Sequence, residues 1–134
     1  MARYVVDSDT LSYVLQRKGH AIARFAEAVR ARAEIYLCPV VYYQIRRGLL
    51  DKGAVRQLQE FRTMVGNFLW ADIDRSMWDD AAEIWVACRR RGRPHEDDAD
   101  LLIAAYARHL QATLVTNNTA DFEDLGVRLA NWVM

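Results

Sequence analysis

The chain has 134 residues, of which 52% are apolar and 27% charged, and its 18 basic side chains balance 18 acidic ones. That length suits one domain, able to bury roughly two-thirds of the surface its unfolded chain exposes. A balanced total excludes recognition of nucleic acid or membrane through net charge, so any such site has to be local.

Arg3-Tyr4-Val5-Val6 is a β-branched and aromatic run that predicts a strand, and Asp7-Ser8-Asp9-Thr10 behind it can cap a helix. Leu11, Val14 and Leu15 give that helix an apolar face, and Lys18-Gly19 ends it. A second helix is expected over 21–31, with Ile22, Phe25, Ala26 and Val29 inward. Ile35-Tyr36-Leu37-Cys38 predicts another strand. Pro39 then opens a helix at its first turn, where a missing N–H does no harm, and that helix runs to about Leu50. Val55, Leu58, Phe61, Met64 and Val65 mark a further helix, and residues 68–73 read as a third strand. The clearest amphipathic helix covers 75–90, with Met77, Ala81, Ile84, Trp85 and Cys88 on one stripe. Residues 98–110 are almost wholly apolar beyond the first turn, which predicts a buried helix. Residues 112–116 and 127–129 complete the strands.

Cys38 and Cys88 lie far apart in apolar surroundings, with no CxxC or His–Cys cluster, so buried reduced thiols are expected rather than a zinc framework. No apolar stretch reaches the roughly 20 residues that span a bilayer, and no signal-peptide h-region follows Met1, so a cytoplasmic location is expected.

Strands alternating with helices imply an α/β fold in which a parallel sheet has helices on both faces, here as one domain over 1–134. Ligands in such sheets bind beyond the carboxyl ends of the strands. The first strand ends in Asp7, the second leads into the helix carrying Gln44, and the fourth ends in Thr116-Asn117-Asn118. The buried helix begins at Asp97-Asp98-Ala99-Asp100. Oxygen donors of this kind suit hard cations such as Mg²⁺ or Mn²⁺. Each also has an ordinary explanation. Asp7 or Asp9 can serve as an N-cap, Asp97 and Asp98 can answer a helix macrodipole, and Asn118 is good turn chemistry. Asp100 is harder to dismiss, since it precedes Leu101-Leu102-Ile103-Ala104-Ala105, where an unpaired carboxylate is costly.

Four segments in order resemble the motifs of PIN domains. They are Val5-Val6-Asp7-Ser8-Asp9-Thr10-Leu11, the Pro39 to Gly48 run, Asp100-Leu101-Leu102-Ile103-Ala104-Ala105, and Leu114-Val115-Thr116-Asn117-Asn118. The near-terminal Asn131-Trp132 is similar to the ending of VapC-type ribonuclease toxins of type II toxin–antitoxin systems. The resemblance covers essentially the whole chain. It implies a PIN-like three-layer α/β/α fold and Mg²⁺-dependent endonucleolytic cleavage of RNA. By the same resemblance Asp7 and Asp100 are the metal-binding acids, Asn118 fills the fourth catalytic position, and Asp98 and Asp121 are auxiliary. A small cognate antitoxin and a homodimer are the implied partners.

One position departs from the pattern. The second motif normally carries Glu where Gln44 stands, and no other acid lies between Glu34 and Asp51. Gln keeps an oxygen donor but loses a charge and the capacity to take a proton, which implies a weakened ribonuclease. The alternative is a catalytically inactive PIN domain that acts as an antitoxin- or RNA-binding module. Arg46, Arg47, Arg91 and Arg93 are candidates to contact RNA or antitoxin, although an Arg run ending a helix is also an ordinary solvated face. The four tryptophans are expected to pack rather than stack on bases. His20, His95 and His109 lack ligand spacing, and a surface role is expected for His95. Asp7-Ser8-Asp9 also recurs in phosphohydrolases that form an aspartyl-phosphate, but neither Lys18 nor Lys52 is placed for that chemistry.

Overall fold

In the computed structural model, which describes residues 2–134, the chain begins β1 (Arg3–Val6), α1 (Ser8–Leu15), α2 (Ala21–Arg30), β2 (Glu34–Tyr36), α3 (Pro39–Asp51) and α4 (Val55–Val65). It continues α5 (Arg75–Arg90), α6 (Asp98–His109), β3 (Thr113–Val115), α7 (Thr119–Phe122) and β4 (Leu129–Ala130). The four strands form one sheet in the order β2-β1-β3-β4, and every pairing is parallel. Val5 sits opposite Tyr36 on one side and Leu114 on the other, so β1 and β3 are the central strands. Val5, Val6, Leu114 and Val115 are buried, as a parallel sheet covered on both faces by helices requires. The expected three-layer α/β/α architecture is the one observed.

The geometry that matters is the common direction of the strands. All carboxyl ends point to one edge of the sheet, and α1, α3 and α6 start or pass there. Asp7 ends β1 and caps α1, its carboxylate accepting from the Ser8 N–H at 2.8 Å. Pro39 opens α3 directly after β2. The Asp97 carboxylate caps α6 by accepting from the N–H groups of Ala99 and Asp100. Beyond that turn α6 buries Leu101 and the run Ile103 to Ala107, and it packs against α5 and β3. The Tyr106 hydroxyl inside it donates to the Ala71 carbonyl at 2.8 Å.

Two expectations need correction. Residues 68–73 do not form a strand; Leu69 makes a single bridge to Tyr36, with backbone hydrogen bonds to Ile35 and Leu37 only. Nothing pairs with the far side of this edge, and Trp70 turns out against Tyr42, its indole N–H donating to Asp72. In α2 the buried residues are Ala21, Phe25 and Ala28, while Ile22 and Val29 stay 36% and 43% exposed. The small alanines form the inward stripe, and the larger apolar residues border an open groove instead. Three of the tryptophans lie outside the core. Trp132 is buried against Tyr4, but Trp70, Trp78 and Trp85 are exposed. Both cysteines are buried and free, as expected. No helix among the described residues is long and apolar enough to cross a membrane.

Candidate active site

Asp7 is one of only a few buried polar residues among those described. One carboxylate oxygen accepts from the Ser8 N–H and the other from the Thr116 hydroxyl at 3.0 Å, and the Thr116 oxygen in turn accepts from the Asn118 N–H. The Asp7 N–H donates to the Val115 carbonyl, so β1 and β3 hold this carboxyl between them. Burial, and after it the charge on Asp9, push Asp7 up to about 6. Asp9 turns toward β3, where one of its oxygens accepts from the Asn117 N–H and the other from Thr10. It acts as a brace between strand ends.

Asp100 lies in the first turn of α6 with its side chain 18% exposed. Its carboxyl is pushed up to about 7 by burial and then by the negative charges of Asp97 and Asp7. The charge on Asp7 is felt at Asp100 although the two are remote in sequence. Gln44, on α3, lines cavities beside the chain neighbours of both acids. It borders one cavity with Ser8 and Asp9, and another of about 520 Å³ with Asp97 and Asp98. Its side-chain oxygen Oε1 is buried without a hydrogen-bond partner. A buried acceptor left unpaired is costly unless a ligand satisfies it. Two carboxyls raised chiefly by burial and an orphan amide oxygen are the kind of donors a hard cation takes, since it uses one or two carboxylates and keeps several waters. Among the described residues there is no cluster of three or more His, Cys, Asp or Glu side chains that could hold a metal ion.

Residues 4–127 match the PIN domain family. The chain belongs to it. Solved structures share the fold of this PIN domain over nearly its full length. VapBC2 from Rickettsia felis, bound to a DNA fragment from their promoter, matches with a TM-score of 0.86 and 20% identity, covering 97% of this chain and 98% of that one. DNA-bound VapBC from Salmonella typhimurium matches at 0.84 and 21%, over 98% and 99%. A toxin–antitoxin complex from Klebsiella pneumoniae matches at 0.63 and 22%, over 89% of each chain. No curated protein matches the sequence.

The remaining predicted residues of the PIN domain fall in two groups. Asp98 is exposed at the start of α6 and borders the acidic cavity beside Gln44. Asp121 is exposed in α7, close enough to Asp100 to raise it slightly. Asn118 precedes α7 with its side chain exposed, and what reaches Asp7 from the end of β3 is Thr116. Arg46 and Arg47 are exposed on α3, with the Arg47 guanidinium 4.9 Å over the Tyr43 ring. Arg91 and Arg93 are engaged within the protein, Arg91 donating to the Asp124 carbonyl and Arg93 pairing with the Asp124 carboxylate.

Two residues were missed. Thr116 orients Asp7, and its signal was a hydroxyl at a strand's carboxyl end. His95 is not a loose surface group, contrary to expectation. Its Nδ1 accepts from the Asp97 N–H and its Nε2 lies 3.0 Å from the Asp121 carbonyl. Nε2 also lies 3.7 Å from the Asp100 carboxylate. His95 thus ties the start of α6 to α7.

Proposed function

We propose that this PIN domain is a Mg²⁺-dependent endoribonuclease, the toxin of a type II toxin–antitoxin pair, weakened by Gln44. What supports this reading is that Asp7 ends β1 and Asp100 lies in the first turn of α6, that the charge on Asp7 contributes to raising Asp100, and that the Gln44 oxygen on α3 is buried without a partner. Asp7, Asp100 and Gln44 would hold the ion, with Mn²⁺ as a substitute. Bound there, Mg²⁺ supplies positive charge for the attacked phosphate and lowers the pKa of a coordinated water. The protein's own part is to aim these oxygens. Thr116 and the Ser8 N–H fix Asp7, and the Asp97 cap fixes the turn that carries Asp100. Arg46 and Arg47, one helical turn from Gln44, are placed for the RNA backbone, since guanidinium grips phosphate through two donors. Arg91 and Arg93 would have to leave Asp124 to do the same. Asp98 and Asp121 assist by adding negative potential for the cation, and Asn118 shapes the turn that presents Thr116.

The test is cleavage of single-stranded RNA with and without EDTA. The chain is expected to cut in Mg²⁺, and Asp7→Ala or EDTA each to lower the rate by about a hundredfold or more, beyond the ~10–100-fold typical of supporting groups. Cleavage that survives both would sink the assignment. The rival reading, a catalytically inactive PIN domain that binds antitoxin or RNA, rests on Gln44. It requires negligible Mg²⁺ or Mn²⁺ binding in a titration.

The antitoxin has a suitable surface. A groove of about 760 Å³ between α1, α2 and α4 is lined by Val14, Ile22, Phe25, Val29 and Met64. Open apolar grooves of this kind take an amphipathic helix. The toxin–antitoxin complexes among the similar structures support that occupant. Val29→Asp places a charge on the groove wall and is expected to weaken capture of the cognate antitoxin at least about tenfold, as removal of a central anchor does. Titration of the isolated partners measures it, and unchanged affinity would move the docking surface elsewhere.

A further inference from the structure

Gln44 has a cavity on each side. Opposite the acidic one lies a cleft of about 240 Å³ between α1, α3 and α4. Its walls combine the apolar Leu15, Ile45 and Leu49 with the neutral polar groups of Ser12, Gln16 and Gln57. The charged members are Lys52 and Asp9, and both oxygens of Asp9 already accept hydrogen bonds. The cleft is smaller than the roughly 300–1,000 Å³ of a drug-sized ligand site.

Gly48 lines this cleft from within α3, and the backbone gives no reason for a glycine there. Its φ is not positive, unlike those of Gly19, Gly53, Gly92 and Gly126. A Cβ at position 48 would meet nothing within 4 Å. Glycine is the poorest helix former after proline, so the fold would gain from a side chain at this position. What a larger side chain would do is fill the cleft.

We propose that the cleft is the subsite for one nucleobase of single-stranded RNA, the base next to the scissile phosphate, and that Gly48 keeps it open. The inference rests on the ribonuclease reading and assigns the substrate's seat in it. Amides and hydroxyls both donate and accept, which suits the edges of an unpaired base, while apolar walls receive its faces. A duplex would hide those edges, and a backbone-only site would need more than one cation. Gln44 belongs to both cavities, so a base seated in the cleft brings its phosphate to the acids.

The test uses fluorescein-labelled single-stranded oligoribonucleotides that differ only at the base beside the cleavage site. Binding is read by anisotropy, cleavage on gels, and folding by thermal unfolding. Gly48→Leu is expected to unfold at the same temperature or higher, yet to bind RNA at least about tenfold more weakly, the order of one base's contribution. Ser12→Ala combined with Gln57→Leu adds no bulk and is expected to flatten the preference among the oligonucleotides. That pair carries the test should Gly48→Leu fail to fold. A folded Gly48→Leu that binds and cuts like its parent overturns the inference and leaves the ribonuclease standing. So does an unchanged base preference in the double variant, or a Gly48→Leu that loses antitoxin capture alone, which would give the cleft to a protein partner. If neither the parent nor Gln44→Glu binds or cuts RNA, the ribonuclease reading falls and the subsite with it.

Discussion

Replacing Gln44 by Glu is expected to raise Mg²⁺-dependent RNA cleavage at least about tenfold. The side-chain oxygen at this position is buried and unpartnered, so the protein has an acceptor in place that nothing within the fold satisfies. Glu presents the same oxygen with a formal charge and a second oxygen, and it can take a proton. Without a divalent ion that charge joins an already crowded set, since Asp9 and Asp97 raise Asp7, and Asp97 and Asp7 raise Asp100. Gln44→Glu is therefore expected to unfold at a lower temperature than its parent in EDTA and to recover more on addition of Mg²⁺. The paired measurement separates two kinds of failure. A change in stability without a change in cleavage would make position 44 a metal-affinity residue only, and no change in either would remove it from the mechanism.

The parts of the fold legible from sequence are those decided by neighbours along the chain. Helix α5 spans the predicted 75–90 because its apolar period is clean and Asp74 caps it through the Met77 N–H. The parts that misled depend on partners far away. Residues 68–73 have strand-like composition, but a strand exists by pairing, and this segment meets only one edge of β2. In α2, Ile22 and Val29 carry a core-like period, yet they border an open groove. The site divides in the same way. The positions of Asp7 at the end of β1 and Asp100 at the start of α6 follow from local strand and capping patterns. Thr116 and His95 act through contacts 109 and 26 residues away, and the partner of Arg91 is 33 residues distant, separations at which local pattern is silent.

Asp100→Asn is expected to stabilise the metal-free protein at pH 8 and to leave it unchanged near pH 3. The sign follows from the direction of the shift. The folded protein holds this carboxyl at about 7, against an ordinary value of 3.8. A group raised on folding favours the folded state while protonated, and that contribution is lost as pH rises from about 4 through about 7. Above that window the wild type carries an unfavourable buried charge that Asn lacks. The full shift would correspond to about 4 kcal/mol. Partial exposure screens it, and the lost carboxylate no longer favours the start of α6, so about 1–2 kcal/mol is expected. For a domain of this size that is roughly 3–10 °C in Tm. Thermal unfolding in EDTA from pH 3 to 8 reads the effect as two curves that diverge with rising pH. Adding Mg²⁺ at pH 8 should close or reverse the gap, because the cation binds the charge that Asn no longer provides. Curves that stay parallel at every pH would mean that Asp100 is not raised on folding, and that support for the proposed catalytic centre would fall.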